Sequence, residues 1–295
     1  MISGVTVVTT LVCFLLCTRG CGRIERPAFP APSEFQKAGC SLANLGRVAP
    51  RDREVVASGT GCLKSEASEC AMLTQIYEVS TPSEADAISG LGIDHVGVLV
   101  GNGAFPRERS AREANAVIAA IRASSKSSAL FLSADIALIE QMARELGPTI
   151  IHLGASTELL RPKNVIELRK VLPNILFMRS VPVTGSGNIA TARSYDGIVD
   201  FLLLDSHREG DAQIGALGVT HDWNISRHIV ETVRTPVILA GGLGPDNVVD
   251  AILAVKPAGV DSKTRTDLGD THTKDLTKVA AFNKAAKGAD VTSLP

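Results

Sequence analysis

From Met72 onward the sequence alternates short apolar runs with segments whose apolar residues recur at helical spacing. Strands covered by helices on both faces are apolar nearly throughout, and strands that alternate with helices indicate a parallel sheet. Eight such units predict an α/β fold of the closed (β/α)8 TIM barrel type rather than an open doubly wound sheet. No G-x-G-x-x-G motif follows the first run, which also disfavours the open sheet. The runs are MLTQIYEV (72–79), DHVGVLV (94–100), SALFLS (128–133), TIIHL (149–153), ILFMRSV (175–181), VDFLLL (199–204), PVILA (236–240) and AGVDS (258–262).

Two of the intervening segments carry clear helix boundaries. TPSEADAISGLG (81–92) begins with a threonine that can cap a helix and a proline suited to its first turn, and it ends on a glycine. DIALIEQMARELG (135–147) also closes on a glycine, as helices often do.

The first 70 residues differ from the rest of the chain in composition and lack its alternating pattern. All six cysteines, Cys70 being the last, fall here, and the segment after the first apolar stretch is rich in proline, serine, glycine and alanine. We expect a poorly ordered N-terminal extension over 1–70, a barrel over 71–288 and a C-terminal tail over 289–295. The apolar stretch Val5 to Cys17 is short for a membrane span, and an export or targeting segment, a weak anchor and an extension with no folded role all stay open.

Charge narrows the choice of partners. The chain has 30 basic and 31 acidic residues, well interleaved, and a formal net charge of -1. This balance gives no reason to expect nucleic acid or stable membrane association, and the cysteine spacing predicts no metal site. We expect a cytoplasmic location, with export or organelle targeting left open by the apolar stretch.

In this fold, functional groups collect at the carboxyl ends of the strands. Asp205 directly follows the apolar residues FLLL (201–204), and the glycine-rich GGLG (241–244) directly follows PVILA. A carboxylate at a strand end beside apolar walls is where a proton donor with a raised pKa would be built.

Five stretches carry a family resemblance in order and spacing: LLLDS (202–206), GALGVTHDW (215–223), ILAGGLGPDNVVDAI (238–252), AGVD (258–261) and KDLTKVAAF (274–282). With them the chain resembles the phosphoribosylanthranilate isomerase family of (β/α)8 barrels, of the ribulose-phosphate-binding type. The resemblance implies an Amadori rearrangement of N-(5'-phosphoribosyl)anthranilate, a phosphosugar, in tryptophan biosynthesis. It implies no cofactor, and it gives Asp205 the role of the acid that opens the sugar ring.

The resemblance also implies a phosphate site after the seventh and eighth strands. Gly241 and Gly242 would let backbone N–H groups approach the anion, helped by the N-terminus of the next helix. Asn247 is expected at the start of that helix, either as a cap or as a ligand. Where the family has S-S-G after the eighth strand, this chain has Lys263, Thr264 and Arg265, and the arginine would either crowd the phosphate or contact it.

For the aryl carboxylate of the substrate, the family uses an arginine after the second strand. Arg107 is the position implied here, with Arg109 as the alternative, and a guanidinium suits a carboxylate.

The general base is the main departure from the family. The family has a cysteine in K-x-C-G at the end of the first strand, whereas this chain has QIYE, which puts Tyr77 and Glu78 there. Tyrosine is a weak base at neutral pH, and strand alternation would send Glu78 away from the pocket unless the strand has already ended. Cys70 lies too far toward the other end of the strand.

Histidines offer further candidates for the base. His152 and His207 both follow apolar strands, and histidine as a residue type titrates near neutrality. His152 is expected to contact the substrate, as a neighbour in the pocket or as the base. His95 begins its strand at the bottom of the barrel and is expected to be structural. Arg179, near the end of the fifth strand, is expected to bind a substrate anion or to pair with a buried carboxylate. Asp222 and Trp223 are expected to start a helix.

Two further functions stay open beside the isomerase. The barrel can act on another phosphosugar, or it can serve as a non-catalytic phosphate-binding protein. The sequence does not indicate an oligomeric state.

Overall fold

The computed structural model describes residues 72–207, 214–215, 218–269 and 271–289. The N-terminal extension, its apolar stretch and its six cysteines lie outside the described residues, as do residues 290–295 of the expected tail.

Eight parallel strands close into a barrel in sequence order, so the predicted (β/α)8 architecture is confirmed. The last strand pairs with the first, with Gln75 beside Asp261 in the register. The strands are β1 (Leu73–Ile76), β2 (His95–Leu99), β3 (Lys126–Phe131), β4 (Ile150–Leu153), β5 (Leu176–Pro182), β6 (Phe201–Asp205), β7 (Val237–Leu239) and β8 (Gly259–Ser262).

One α-helix follows each strand and covers the outside of the barrel. They are α1 (Pro82–Gly90), α2 (Ala111–Ala119), α3 (Ile136–Leu146), α4 (Pro162–Val171), α5 (Asn188–Tyr195), α6 (Trp223–Thr232), α7 (Val248–Val255) and α8 (Leu276–Lys287). A short 3₁₀ helix, Thr264–Thr266, lies between β8 and α8.

The helix boundaries follow the capping residues. Thr81 accepts a hydrogen bond from the Glu84 N–H at 3.2 Å and Pro82 begins α1, as predicted. Gly147 ends α3 in the left-handed conformation, with φ of 54°, where a residue without a Cβ is favoured. Asp222 caps α6, as expected, by accepting from the Asn224 N–H at 2.9 Å.

Two apolar clusters hold the barrel together. The larger one fills the layer between the strands and the helices. The smaller one, built on Ile150, Met178, Leu203 and Ile238, consists of strand residues from the other face of the sheet and fills the barrel interior. A filled interior leaves the open space of the barrel at the carboxyl ends of the strands.

Two strand boundaries differ from the prediction in ways that affect the site. β1 ends at Ile76, three residues before the end of the predicted run, so Tyr77 and Glu78 belong to the loop that follows. β6 extends to Asp205, which is therefore the last residue of the strand.

Across the described ranges, no helix is both long and apolar enough to cross a membrane.

Candidate active site

One pocket opens at the carboxyl ends of the strands. Most of the residues singled out in the sequence line it, together with apolar residues that form its walls. Its polar and glycine lining comprises Tyr77, Glu78, Arg107, His152, Ser180, Asp205, Gly218, Gly241, Gly242, Asp261, Lys263, Thr264 and Arg265. The structure thus brings together polar residues and glycines that lie on, or directly after, seven of the eight strands.

Asp205 ends β6 with its carboxylate held against the backbone of its own loop. Its Oδ1 accepts the Ser206 N–H at 2.7 Å and the Ser206 hydroxyl at 3.3 Å. Its Oδ2 lies against Gly215, whose φ of 94° and missing Cβ leave room for the carboxylate. Local contacts therefore fix the direction of the Asp205 side chain.

The glycines after β7 face this carboxylate. Gly241 has φ of 87°, and a Cβ placed there would lie 3.3 Å from Asp205 Oδ1 and 2.8 Å from His221 Nδ1. Gly242 has φ of 60°, and a Cβ there would lie 2.8 Å from the carbonyl oxygen of Gly218. Both positions require glycine, for conformation and for space. Asp205 and the glycine turn thus border the same volume.

Asn247 does not line the pocket, so its expected direct contact with a phosphate has no support in the structure. Its Oδ1 accepts the Gly244 N–H at 2.8 Å, and its Nδ2 donates to the Gly242 carbonyl at 3.1 Å. It stands at the N-cap position of α7, but its side chain caps no helical N–H. The amide group instead braces the glycine turn.

The loop after β8 supplies cationic and hydroxyl groups to the pocket. Lys263, Thr264 and Arg265 all line it, in the place where the family has S-S-G. Arg265 Nη2 lies 3.3 Å from the exposed carboxylate of Asp246, so its charge is turned toward the outside of the turn.

Glu78 and Arg107 form an ion pair on the pocket wall. Glu78 Oε2 accepts a hydrogen bond from Arg107 Nε at 2.9 Å, and Glu78 Oε1 accepts one from Arg107 Nη2 at 3.3 Å. Lys263 Nζ also lies 3.4 Å from Glu78 Oε1. Burial alone would raise the pKa of Glu78, but Arg107 and Lys263 outweigh it and hold that pKa below its ordinary value. Arg107 has φ of 68°, an uncommon backbone conformation for a residue with a side chain.

Tyr77 crosses the interior of the barrel. Its ring packs directly on Gly97 of β2, where any Cβ would collide with it. Its hydroxyl lies 2.6 Å from Ser128 Oγ and 2.8 Å from His152 Nδ1, and His152 Nε2 lies 2.7 Å from Ser180 Oγ. Tyr77 therefore belongs to a buried hydrogen-bond chain that runs from the loop after β1 to β5.

The hydrogen-bond chain that contains Tyr77 and His152 is poorly suited to accept a proton from a substrate. Burial raises the pKa of Tyr77 well above its usual value, with only partial compensation by Ser128. Burial and the positive charge of Arg179 lower the pKa of His152 to about 3. At neutral pH the tyrosine is protonated and the histidine is neutral and weakly basic.

Arg179 does not lie in the pocket, which corrects the expectation that it binds a substrate anion. It is fully buried, donates to the Leu153 carbonyl at 2.5 Å, and lies over the Tyr195 ring at 5.2 Å. Its neighbours Met178 and Ser180 face the barrel interior, so alternation along β5 turns Arg179 toward the helices.

Arg109, His207 and His95 also lie outside this pocket. Arg109 lies beside it and pairs with Glu113 at 3.9 Å. His207 follows β6 but does not line the pocket. His95 is buried, with Nδ1 3.1 Å from Gln75 Oε1, in agreement with a structural role.

Sequence reasoning assigned no role to Asp261, which lines the pocket, or to His221, which lies beside the glycine turn. Asp261 is buried in the pocket wall, and its Oδ1 accepts a hydrogen bond from Gln75 Nε2 at 3.1 Å. His221 lies beside Gly241 with Nε2 2.8 Å from Ser226 Oγ. Asp261 had a sequence signal, a carboxylate inside an apolar strand, while His221 had only its neighbours Asp222 and Trp223.

Among the described residues, no three histidine, cysteine or acidic side chains are arranged to hold a metal ion. The groups that do converge are carboxylates, cations and a glycine turn at the carboxyl ends of barrel strands. This arrangement defines the class of the protein as a (β/α)8 barrel with an acid–base pocket at the rim where barrel enzymes carry their active sites.

Comparison with known proteins identifies the family. The family model for N-(5'-phosphoribosyl)anthranilate isomerase matches residues 75–285. The chain therefore belongs to the N-(5'-phosphoribosyl)anthranilate isomerase family.

Individual relatives agree over the whole barrel. The N-(5'-phosphoribosyl)anthranilate isomerase of Methanocella arvoryzae is 33% identical over 208 residues, which cover 70% of this chain and 94% of the relative. That of Haloferax volcanii is 32% identical over 220 residues, covering 74% and 95%. The crystal structure of phosphoribosyl anthranilate isomerase from Thermotoga maritima shares the fold, with a TM-score of 0.61, 23% identity, and coverage of 74% of this chain and 99% of that one.

Proposed function

We propose that this protein is a phosphoribosylanthranilate isomerase that converts N-(5'-phosphoribosyl)anthranilate to the corresponding carboxyphenylamino deoxyribulose phosphate in tryptophan biosynthesis. The family supports the reaction class. The observation that carries the proposal is the meeting of Asp205 and the turn at Gly241 and Gly242 around one pocket, because the reaction needs an acid within reach of a sugar whose phosphate is anchored.

The phosphate is held at the ends of β7 and β8. The backbone N–H groups at Gly241 and Gly242 approach the anion, and Lys263 and Thr264 add a charge and a hydroxyl from the facing loop. Asn247 contributes indirectly by bracing the glycine turn. Anchoring the ester there leaves the ribose ring beside Asp205.

Asp205 is the general acid. It protonates the ring oxygen, the bond from that oxygen to C1 breaks, and the anthranilate nitrogen supplies the electron pair that forms the iminium. A base then takes the proton from C2. General acid or base catalysis by one positioned side chain contributes about 10²–10⁴-fold.

Arg107 binds the aryl carboxylate. It lines the pocket and its guanidinium can hold a carboxylate bidentately, as it holds that of Glu78. Binding therefore exchanges one carboxylate partner of Arg107 for another.

The ion pair also favours a second candidate, a barrel that acts on a phosphosugar without an aryl carboxylate. Glu78 already satisfies Arg107, so such a substrate would leave the pair intact.

Expression in a tryptophan auxotroph that lacks the isomerase tests the proposal. We expect the wild-type chain to restore growth without tryptophan and Asp205→Asn to fail at equal protein level. If neither the wild-type chain nor Asp205→Asn restores growth, but the purified wild-type protein binds a ribulose phosphate analogue, the result would support the second candidate instead.

A further inference from the structure

The proposed reaction lacks an identified base, and the residues at the family's cysteine position do not supply one. Tyr77 is buried with its hydroxyl bonded to Ser128 and His152. Glu78 is bound to Arg107 and Lys263. Both groups are already engaged with protein partners, so the base must be sought elsewhere in the pocket.

Asp261 offers a second carboxylate in this pocket. It lies in β8 beside β1, is 7% exposed, and lines the same pocket as Asp205. Gln75 fixes its orientation by donating to Oδ1 at 3.1 Å, and His95 holds the other end of the Gln75 amide with Nδ1 3.1 Å from Oε1. Oδ1 is thus tied to the wall of the barrel.

We propose that Asp261 is the general base of the isomerisation and accepts the C2 proton that the family's cysteine would otherwise take. This inference rests on the proposed function. Asp205 and Asp261 then act as one acid–base pair, and Tyr77 serves as a structural residue.

The protons balance through the pair. The cycle begins with a proton on Asp205 and an ionised Asp261. Asp205 gives its proton to the ring oxygen, and Asp261 takes the proton from C2 while the C2–H electrons form the C1–C2 double bond and the iminium electrons return to nitrogen. The enolamine then gains a proton at C1 and loses the one on its C2 hydroxyl, so no net proton is consumed. The pair carries one proton before and after the two transfers.

The charges around Asp261 fit this role. Burial is the main cause that raises the pKa of Asp261 to about 7, the negative charge that Asp205 carries once it has given up its proton is the next, and Lys274 and Lys263 oppose the rise. The negative charge of Asp261 in turn adds to the rise in the pKa of Tyr77. A carboxylate with so high a pKa is a stronger base than Glu78.

The first experiment compares turnover of N-(5'-phosphoribosyl)anthranilate by wild type, Asp261→Asn and Asp261→Glu. Asparagine keeps the shape and can still accept from Gln75, so we expect kcat to fall about 10²–10⁴-fold with the fold intact. Glutamate restores a carboxyl group and should recover part of the loss. Asp135→Asn is the matched control, because Asp135 is an exposed N-cap of α3 outside the pocket and asparagine also caps.

Chemical rescue separates a base from a structural carboxylate. We expect added formate to raise the turnover of Asp261→Gly in proportion to its concentration and to leave the turnover of wild type unchanged. A variant that merely destabilised the barrel would gain nothing from a small carboxylate.

The pH profile gives a readout that does not depend on removing Asp261. Activity should rise as pH rises through about 7, the pKa to which Asp261 is raised, because Asp261 must be ionised to accept the C2 proton. Gln75→Met removes a hydrogen bond that stabilises the ionised form, so this limb should move to higher pH.

The outcomes distinguish the two levels of the proposal. If wild type is active and Asp261→Asn keeps more than a third of its kcat, or if Gln75→Met leaves the limb in place, Asp261 is not the base although the isomerase function stands. If wild type does not convert the substrate, the proposed function is wrong and the role of Asp261 falls with it.

Discussion

The carboxylate of Glu78 holds Arg107 in a two-point contact, 2.9 Å from Nε and 3.3 Å from Nη2. Arg107 is the residue proposed to bind the aryl carboxylate of the substrate. The protein therefore carries its own competitor for that guanidinium, one residue after the position where the family has its cysteine. Substrate binding must break this contact, and the cost should be visible in KM.

Glu78→Gln should lower KM for N-(5'-phosphoribosyl)anthranilate and leave kcat within a few-fold of wild type. The gain should be about two- to fivefold, since partly exposed ion pairs are worth roughly 0.5–1 kcal/mol. An aniline-derived substrate without the carboxylate is the matched comparison, and its KM should not fall. A large loss of kcat would instead make Glu78 the base.

Tyr77→Phe should destabilise the protein and leave catalysis nearly intact. Loss of the hydroxyl leaves His152 Nδ1 and Ser128 without this partner, which costs about 1–3 kcal/mol in a buried site. Urea unfolding measures the first effect and steady-state turnover the second. Tyr195→Phe is the control, because its buried hydroxyl donates to the Leu160 carbonyl at 2.7 Å, away from the pocket. A hundredfold loss of turnover confined to Tyr77→Phe would contradict the structural role.

Gly242→Ala should weaken binding of the phosphate ester. The new methyl group would meet the Gly218 carbonyl oxygen at 2.8 Å, and that contact is with backbone, which cannot rotate away. We expect KM to rise at least about tenfold, in line with roughly 1.4 kcal/mol or more of lost binding. Gly147→Ala provides the comparison, since Gly147 also has a positive φ, 54°, but has open space around it. Equal effects of both changes on KM would argue against a phosphate site at this turn.

Stability should fall as pH drops from about 6.5 toward 4.5. Burial lowers the pKa of His95 and of His221 to about 4, and that of His152 to about 3, against 6.5 for each unfolded side chain. Over this window the unfolded chain binds protons that the folded chain does not, so acid favours unfolding, by on the order of 1 kcal/mol per pH unit for each histidine.

Asp261 affects the pH dependence of the free energy of unfolding in the opposite direction to the three histidines. Its folded pKa of about 7 exceeds the ordinary 3.8, so the folded state binds the extra proton and gains stability as pH falls through the same window. The destabilisation by acid from the three histidines exceeds the stabilisation from this one carboxyl group, so we expect a net loss of stability. Urea midpoints at several pH values measure the net slope, and His95→Gln should reduce it. A wild-type midpoint that rises on acidification to pH 4.5 would be inconsistent with three neutral buried histidines.

The barrel was predictable because the period of the apolar runs alone specifies parallel strands covered on both faces. The meeting of Asp205 with Gly241 was predictable for a related reason. Both residues stand at the carboxyl ends of adjacent strands, and those ends converge in a closed barrel. No side-chain detail was needed for either inference.

The sequence does not indicate whether an individual strand residue points into the barrel or toward the helices. The place of Arg179 near a strand end predicts that it binds a substrate anion or pairs with a buried carboxylate, yet Met178 and Ser180 on either side of it take the inward face. A strand that is buried on both faces shows no alternation of apolar and polar residues, so its sequence does not indicate which residues face the barrel interior. The role of Tyr77 depends on Gly97, a strand away, whose missing side chain admits the ring.

The turnover of purified protein with N-(5'-phosphoribosyl)anthranilate, followed by the loss of its fluorescence for wild type and Asp205→Asn, tests the central proposal most directly. Asparagine keeps the acceptor oxygen that bonds Ser206 but has no proton of the required acidity to donate. We predict measurable conversion by wild type and a kcat lower by about 10²-fold or more in Asp205→Asn. An inactive wild type, or a variant as fast as wild type, would contradict the account.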